Sequence, residues 1–202
     1  AVAAERGSCA GGDPDAPSCL HALGAREGFV TVYPNGTESS PEEGAARVWN
    51  AGGAAPFQCV SGRACEENVD DVAYVEALLD DLATRVAIDP ARVYAAGLSN
   101  GGALVYRLAC ELAERIAAVA PIGAGNQFET GARCAPSAPV ALLHVHGTAD
   151  RCWEYAGGRA GACTGNPRGL LVSVARSVGG WAERLGCAAE PRLRPGPARA
   201  DD

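Results

Sequence analysis

The sequence predicts an α/β fold, in which a mostly parallel sheet carries helices on both faces. Three short and almost continuously apolar runs, residues 93–96, 117–122 and 140–145, are typical of strands buried inside such a sheet. Helical patterns alternate with these runs, as the crossovers between parallel strands require. We therefore expect one α/β domain over residues 1–187, followed by a mobile tail over residues 188–202.

The amino-terminal part of the chain is predicted to contain a helix, a strand and a long loop. A short helical pattern over residues 20–26 stops at Gly28, and the β-rich run 29–33 precedes a Pro-Asn-Gly turn. Residues 34–67 are rich in Gly, Pro, Ser and Glu and show no period, which indicates a long surface loop.

An amphipathic helix is predicted next, because apolar residues recur at alternating spacings of three and four. Asn68 is the expected N-cap, and Asp89-Pro90 closes the region since proline disfavours helix in the residue before it. The apolar positions are Val72, Val75, Leu79, Leu82 and Val86. A nearly all-apolar helix over residues 103–113 and a weaker one over residues 174–185 complete the expected helices.

Composition excludes several classes of protein. The 202 residues carry a formal charge of −7, and the pI is near 5.0. A nucleic-acid interface needs a basic surface, and a membrane span needs about 18 consecutive apolar residues, so neither partner is expected. The chain has no Met and no apolar signal-peptide core at its start, so we expect a processed product or a fragment.

The nine cysteines predict disulfides and an oxidising compartment. They lack the CxxC and HxxxH clusters of metal sites, so no metal is expected, and reduced, buried cysteines are the alternative. Cys187 is left over, either as a free thiol or as the partner of a cysteine beyond residue 202. The favoured local pairs are Cys9 with Cys19, Cys59 with Cys65, Cys110 with Cys134, and Cys152 with Cys163.

Residues 97–101 read Gly-Leu-Ser-Asn-Gly, which fits the GxSxG nucleophile elbow. A buried strand is predicted immediately before this string and a helix immediately after it, as the elbow requires. Ser99 is therefore the candidate nucleophile, and the backbone N–H of Asn100 is a candidate oxyanion donor at the positive end of the helix. The alternative is a glycine-rich turn with a capping serine.

A serine nucleophile needs a base and an acid. The run 140–145 leads into Asp150, which would then lie at the carboxyl edge of the sheet together with Ser99, so Asp150 is the candidate acid. An ordinary turn aspartate is the alternative. All three histidines, His21, His144 and His146, precede Asp150, and the latter two are expected to be packed and hydrogen-bonded. Either the chain stops before its base or an unusual histidine serves.

Six motifs together resemble the secreted esterases grouped as polyhydroxybutyrate depolymerase and feruloyl esterase-like proteins of the α/β-hydrolase superfamily. The resemblance covers about residues 20–187. The motifs are GFVTVYPNG at 28–36, WN at 49–50, DDV at 70–72, DPARVY at 89–94, GLSNGG at 97–102 and HVHGTAD at 144–150.

The resemblance implies a secreted, disulfide-stabilised α/β-hydrolase without a cofactor, with Ser99 as nucleophile and Asp150 as acid. It also implies that the domain is incomplete, because family members begin with strands leading to a His-Gly oxyanion loop and end with a loop bearing the catalytic histidine. Cys187 would pair with a cysteine further along the chain. Secretion here means an extracellular or periplasmic location.

The expected function is hydrolysis of an ester through a Ser-His-Asp triad. A polyester or polyhydroxyalkanoate, a polymeric substrate, is ranked first, and feruloyl or acetyl esters of plant polysaccharide second. A non-catalytic binding protein on a hydrolase scaffold is the alternative from another class. Trp153 would line the substrate pocket, with a core or rim tryptophan as the alternative. A monomer is expected.

Overall fold

The computed structural model of the chain describes residues 20–42, 44–55, 62–159, 169–188 and 190–192. Two compact units are present, and the boundary between them falls after Thr37. The second unit contains the sheet and the candidate site. Most of the predicted tail, 188–202, lies outside the described residues.

The first unit contains helix α1, Leu20–Glu27, which confirms the helical pattern. It ends as predicted at Gly28, whose φ is 78° and whose N–H donates to Gly24 O. The predicted strand over residues 29–33 is wrong, because the described part of the chain contains no ladder there. Phe29 and Val30 are exposed instead. A β-rich composition is insufficient for a strand when no neighbouring strand accepts its hydrogen bonds.

The second unit holds the remaining elements. Its helices are α2 (Arg63–Glu66), α3 (Asp71–Arg85), α4 (Asn100–Glu111) and α5 (Val174–Arg184), with short 3₁₀ turns at Pro90–Arg92 and Phe128–Thr130. Its strands are β1 (Thr37–Glu38), β2 (Arg47–Val48), β3 (Tyr94–Leu98), β4 (Ala118–Ile122), β5 (Ala141–Leu142), β6 (Gly158–Arg159) and β7 (Leu170–Leu171), of which β1 straddles the boundary between the units.

Helix α3 confirms the amphipathic pattern, but its cap differs from the prediction. Asp70 is the N-cap, and its carboxylate accepts a hydrogen bond from Ala73 N–H at 3.0 Å. Asn68 has a φ of 48° and its side-chain oxygen accepts from Asn50 Nδ2, so it cannot cap the helix. Both residue types are good caps, and only the tertiary contact with Asn50 distinguishes them.

The central sheet is parallel, in the order β3-β4-β5, which confirms the predicted strand type. Strand β5 is shorter than the apolar run 140–145. The N–H groups of Leu143 and Val145 still donate to Val119 O and Pro121 O. Pro121 has no N–H that could donate to β5, so the regular ladder is interrupted there and continues only as a bridge between Ile122 and Val145.

The core lies on one face of this sheet, beneath α4. Val72 and Val75 of α3 and Trp181 of α5 pack into the same apolar cluster as Val119 of β4. The indole N–H of Trp181 donates to Val140 O at 2.9 Å, which fixes α5 against the start of β5. Each fully buried apolar side chain contributes roughly 1.5–3 kcal/mol.

On the other face of the sheet no described helix covers the strands, so the expectation of helices on both faces is wrong. Tyr94 is 65% exposed, Leu98 69% and Leu143 66%. Strand residues alternate between the two faces, and the register puts these side chains on the face opposite Val119. Among the described residues, helices therefore cover one face only. Apolar runs predicted strands correctly, but such runs do not specify what packs against each face.

One predicted disulfide is present within the described residues, joining Cys110 at the end of α4 to Cys134. Cys65 and Cys152 are also disulfide-bonded. Their predicted partners, Cys59 and Cys163, and the predicted pair Cys9 with Cys19 lie outside the described residues. Cys187 is free and exposed within the described residues, which is one of the two alternatives expected for the ninth cysteine. No helix in the described ranges is long and apolar enough to cross a membrane.

Candidate active site

Ser99 lies between the last residue of β3 and the first residue of α4, in a strained backbone conformation. Its φ is 54° and its ψ is −120°, a region that costs a non-glycine residue about 1–3 kcal/mol. The N–H of Ser99 donates to Ile122 O at 2.8 Å, which fixes the strand exit against β4. Ser99 is exposed and its side chain makes no capping hydrogen bond, so the capping-serine alternative does not describe it.

Two glycines allow α4 to pack closely over the strand exits. A Cβ atom on Gly97 would lie 2.2 Å from Gly101 O, and one on Gly102 would lie 2.7 Å from the Cβ of Ala124. Both distances are impossible without moving the backbone. Glycine is therefore required at both positions for steric reasons. The close packing that the glycines allow holds Ser99 at the tip of the turn.

We expect Gly97→Ala to lower the free energy of unfolding by about 3 kcal/mol, because backbone atoms cannot make room for the methyl group. Gly179→Ala is the matched control, since nothing lies within 4 Å of the Cβ position of Gly179 in α5. That variant should gain up to about 1 kcal/mol. Urea denaturation measures both, and equal midpoints for Gly97→Ala and the parent would contradict the steric argument.

Asn100 begins α4, so its backbone N–H is one of the first-turn donors that have no acceptor within the helix. Its side chain has a role that the sequence did not reveal. Asn100 Oδ1 accepts from Trp49 N–H at 2.6 Å, and Nδ2 donates to Trp49 O at 3.0 Å. The side-chain amide of Asn100 thus bonds both backbone groups of Trp49, as a neighbouring strand would. These two bonds fix the loop that contains Trp49 beside the elbow.

A buried polar cluster continues from that loop. Asn50 N–H donates to Asp71 Oδ2 at 2.6 Å, and Arg107 Nη1 donates to Asn50 O at 2.8 Å. Burial raises the pKa of the Asp71 carboxyl, against the lowering effect of the Asn50 hydrogen bond and of Arg107. The sequence did not reveal Asn50 and Asp71 as a pair, although both fall in motifs that carried the resemblance.

Asp150 lies at the same edge of the sheet as Ser99. Its Oδ2 is 3.4 Å from the Cβ position of Gly123, the residue after β4. Gly123 follows Ile122, whose carbonyl accepts the Ser99 N–H. Asp150 Oδ1 accepts from the N–H groups of Cys152 at 2.8 Å and Trp153 at 3.0 Å, so the carboxylate has a fixed orientation.

His144 and His146 form a partly buried hydrogen-bonded pair, and the hydrogen bonding agrees with what was expected from their place in the strand. His144 Nδ1 lies 2.8 Å from Tyr106 OH, and His144 Nε2 lies 3.3 Å from His146 Nδ1. His146 Nε2 lies 2.7 Å from Trp153 O. Each of the four ring nitrogens therefore has a partner other than Ser99. Burial raises the pKa of Tyr106.

The histidine pair predicts a pH dependence of stability. Burial, and to a lesser extent the neighbouring His146, lowers the pKa of His144 below its ordinary value of 6.5. As the pH falls, the unfolded chain therefore takes up a proton at His144 before the folded chain does. The contribution of His144 to the free energy of unfolding is complete above pH 6.5 and decreases as the pH drops below that value. His144→Gln should flatten this slope in urea titrations between pH 7 and about pH 5. An unchanged slope would contradict the assignment.

Trp153 is only 3% exposed. Its indole N–H donates to Val172 O at 3.0 Å, and the ring packs with Ala103, Ala124 and Leu171. This burial favours the core alternative over a place in a substrate pocket. An open cleft of about 440 Å³ lies between β5 and α5, beside the histidine pair, and Ser99 is not among its lining residues.

No family model matches the sequence. The chain is similar to Feruloyl esterase B of Piromyces equi, with 27% identity over 82% of this chain and 28% of that protein. A bifunctional acetylxylan esterase/xylanase of Neocallimastix patriciarum is 33% identical over 66% of this chain and 16% of its own length. Feruloyl esterase C of Emericella nidulans is 30% identical over 73% of this chain and 54% of its own length.

These relatives are carboxylic-ester hydrolases, the class to which a serine at a strand–helix elbow points. More particularly, they are feruloyl and acetylxylan esterases, so the feruloyl esterase part of the predicted resemblance is confirmed. They give no support to the polyhydroxybutyrate depolymerase part. The chain spans between about a sixth and about a half of the length of these three relatives.

Proposed function

We propose that this chain carries the nucleophile and the acid of a serine esterase site. The observation that carries the proposal is the backbone of Ser99, held at φ 54° between a parallel strand and a helix that starts at the next residue. Such strain persists only where the surrounding structure imposes it, and it is concentrated at functional sites. Strand exit, exposed hydroxyl and helix N-terminus together match the nucleophile elbow.

In this proposal Ser99 Oγ attacks the ester carbonyl carbon while its proton passes to a base. Negative charge develops on the carbonyl oxygen, where the Asn100 N–H donates a hydrogen bond and the positive end of α4 provides a favourable field. The acyl–enzyme bond forms as the alcohol leaves with the proton from the base, and water then reverses the steps to release the acid. Asp150 orients the base and stabilises its charged form.

The base in this scheme is neither His144 nor His146. Both rings are engaged at both nitrogens, by Tyr106, by each other and by Trp153 O. A base must reach the hydroxyl of Ser99 with a free nitrogen. The proposal therefore assigns two members of the triad and one oxyanion donor.

For the substrate, we propose feruloyl or acetyl esters of plant polysaccharide, ahead of polyesters. The names of the relatives support this order, since they include feruloyl esterases and an acetylxylan esterase. We also propose that the protein is secreted, a location supported by the Cys110–Cys134 disulfide because such bonds persist in oxidising compartments.

A fluorophosphonate probe tests the central assignment. Such probes phosphonylate activated serines, so with imidazole present as a soluble base we expect one added label on the peptide that contains Ser99, identified by mass spectrometry of the full chain. Ser173, which caps α5 through a hydrogen bond from Arg176 N–H, is the internal control and should stay unlabelled. Absence of label on Ser99 would contradict the esterase proposal and favour the binding-protein alternative.

A further inference from the structure

A continuous chain of hydrogen bonds links the interior of α4 to the loop that bears Asp150. It starts at the hydroxyl of Tyr106, passes through the rings of His144 and His146 and ends at Trp153 O, with successive distances of 2.8, 3.3 and 2.7 Å. Tyr106 is fully buried and the His146 side chain is 1% exposed. Both ends of the chain are therefore held by side chains with little exposure, while His144 borders the open cleft.

The chemistry of the terminal acceptor fixes the direction of the chain. Trp153 O can only accept, so His146 Nε2 must carry a hydrogen. In a neutral ring His146 Nδ1 then accepts from His144 Nε2–H, and His144 Nδ1 accepts from the Tyr106 hydroxyl. All polar atoms are satisfied with both imidazoles neutral and in the same tautomer. These hydrogen positions are assigned from the network of donors and acceptors.

The chain ends on the same residue that holds the Asp150 carboxylate. Trp153 accepts from His146 through its carbonyl oxygen, and it donates to Asp150 Oδ1 through its N–H. The other carboxylate oxygen, Oδ2, lies 3.6 Å from His146 Nε2. A displacement of His146 would therefore move both the backbone donor to Asp150 and the nearest ring to it.

We propose that Tyr106, His144 and His146 form a positioning network that fixes the carboxylate of Asp150 at the sheet edge. The inference rests on the proposed function of Asp150 as the acid of the site. Loss of the Tyr106 hydroxyl would leave His144 Nδ1 without a donor, so that only the bond to His146 would hold the His144 ring. A loosened His144 ring would in turn hold His146 less firmly against Trp153 O.

The described groups around the network come from the loop after β5 and from α4 and α5. Asp150 faces His146 from the loop, Tyr155 packs edge-on against the same ring with centroids 5.8 Å apart, and Tyr106 faces His144 from α4. The residues of α5 that line the adjoining cleft are Val174, Ala175, Val178 and Gly179, none of which titrates. Asp150 is thus the acidic group that the described contacts place against the network.

Tyr106→Phe tests the inference, because it removes one hydroxyl and keeps the ring. Amide hydrogen exchange at Cys152 and Trp153, the two donors to Asp150 Oδ1, should become about tenfold faster, and kcat for an aryl ester, measured with imidazole present as the base, should fall about tenfold to a hundredfold with KM within twofold. Ser177→Ala is the matched control, since it also removes a buried hydroxyl with two hydrogen bonds, in α5. It should lower stability without changing either readout.

His146→Gln and His146→Leu separate positioning from packing. Glutamine can donate to Trp153 O and accept from His144, so it should retain most of the exchange protection, whereas leucine should lose it. Unchanged exchange in Tyr106→Phe, or equal effects of Ser177→Ala, would overturn the inference whatever the activity. Absence of ester hydrolysis and of Ser99 labelling in the unmodified chain, with imidazole present as the base, would instead overturn the proposed function, while exchange still reports whether the network fixes the carboxylate.

Discussion

Ser99→Ala is expected to abolish labelling by a fluorophosphonate and to remove all ester hydrolysis that depends on the protein. The proposed reaction passes through a covalent bond to Ser99 Oγ, and alanine offers no atom to form it. In serine hydrolases, loss of the nucleophile costs about 10⁶-fold in kcat. Hydrolysis of an aryl ester should therefore fall to the rate given by buffer alone.

The measurement needs a source of base, because the rings of His144 and His146 are engaged. Adding imidazole to the assay supplies a soluble base, and we expect a protein-dependent rate that rises with its concentration and vanishes in Ser99→Ala. Imidazole cleaves aryl esters by itself, so the variant provides the necessary blank. Equal rates for Ser99→Ala and the parent at every imidazole concentration would refute Ser99 as nucleophile.

The loss should not come from unfolding. The side chain of Ser99 makes no capping hydrogen bond, and alanine has the same difficulty at φ 54° as serine, so stability should change by less than about 0.5 kcal/mol. Ser99→Gly would relieve the strain and gain about 1 kcal/mol while also being inactive. If Ser99→Gly is both more stable and inactive, the fold tolerates the backbone strain at this position in order to hold the serine hydroxyl in place.

Ser173→Ala provides the opposite control. It removes the hydroxyl that accepts from Arg176 N–H at the start of α5, and it should cost about 1 kcal/mol of stability. Labelling of Ser99 should be unaffected. The two serines thus separate an effect on the fold from an effect on the chemistry.

The features that the sequence predicted correctly are those with a local physical cause. The strands around 94–98 and 118–122 follow from short apolar runs, and their parallel pairing follows from the helix between them. The elbow at Ser99 was also predictable, because glycine is required where α4 crosses the strand exit. Asp150 could be placed at the same edge because the carboxyl ends of parallel strands meet there.

The features that the sequence did not reveal depend on contacts between distant residues. Whether Asn68 or Asp70 caps α3 depends on Asn50, and whether Trp153 lines a pocket or the core depends on Val172 O. The histidine chain depends on Trp153 O, which fixes its direction, and on Tyr106, which is 38 residues from His144. No periodic pattern in a single sequence encodes such pairings.

Asp150→Asn is expected to reduce serine-dependent hydrolysis by up to about 10⁴-fold, the effect of the corresponding change in a serine protease triad. Asparagine keeps an oxygen that can accept from the N–H groups of Cys152 and Trp153, so the loop should remain folded. The change replaces the second carboxylate oxygen with a donor and removes the negative charge. A base beside an amide is neither held in the correct tautomer nor stabilised when it takes up a proton.

The effect of Asp150→Asn can be separated from a general effect of changing a turn aspartate. Asp89 accepts from Ala91 N–H two residues on, as Asp150 accepts from Cys152 N–H, but it lies before β3 at the opposite edge of the sheet. Asp89→Asn therefore makes the same chemical change in a similar turn, which lies at the other end of β3 from the elbow. Labelling rates for Ser99 should fall in Asp150→Asn and stay near the parent value in Asp89→Asn. Equal rates in the two variants would make Asp150 a turn aspartate, because charge at the carboxyl edge would then have no special effect on the serine.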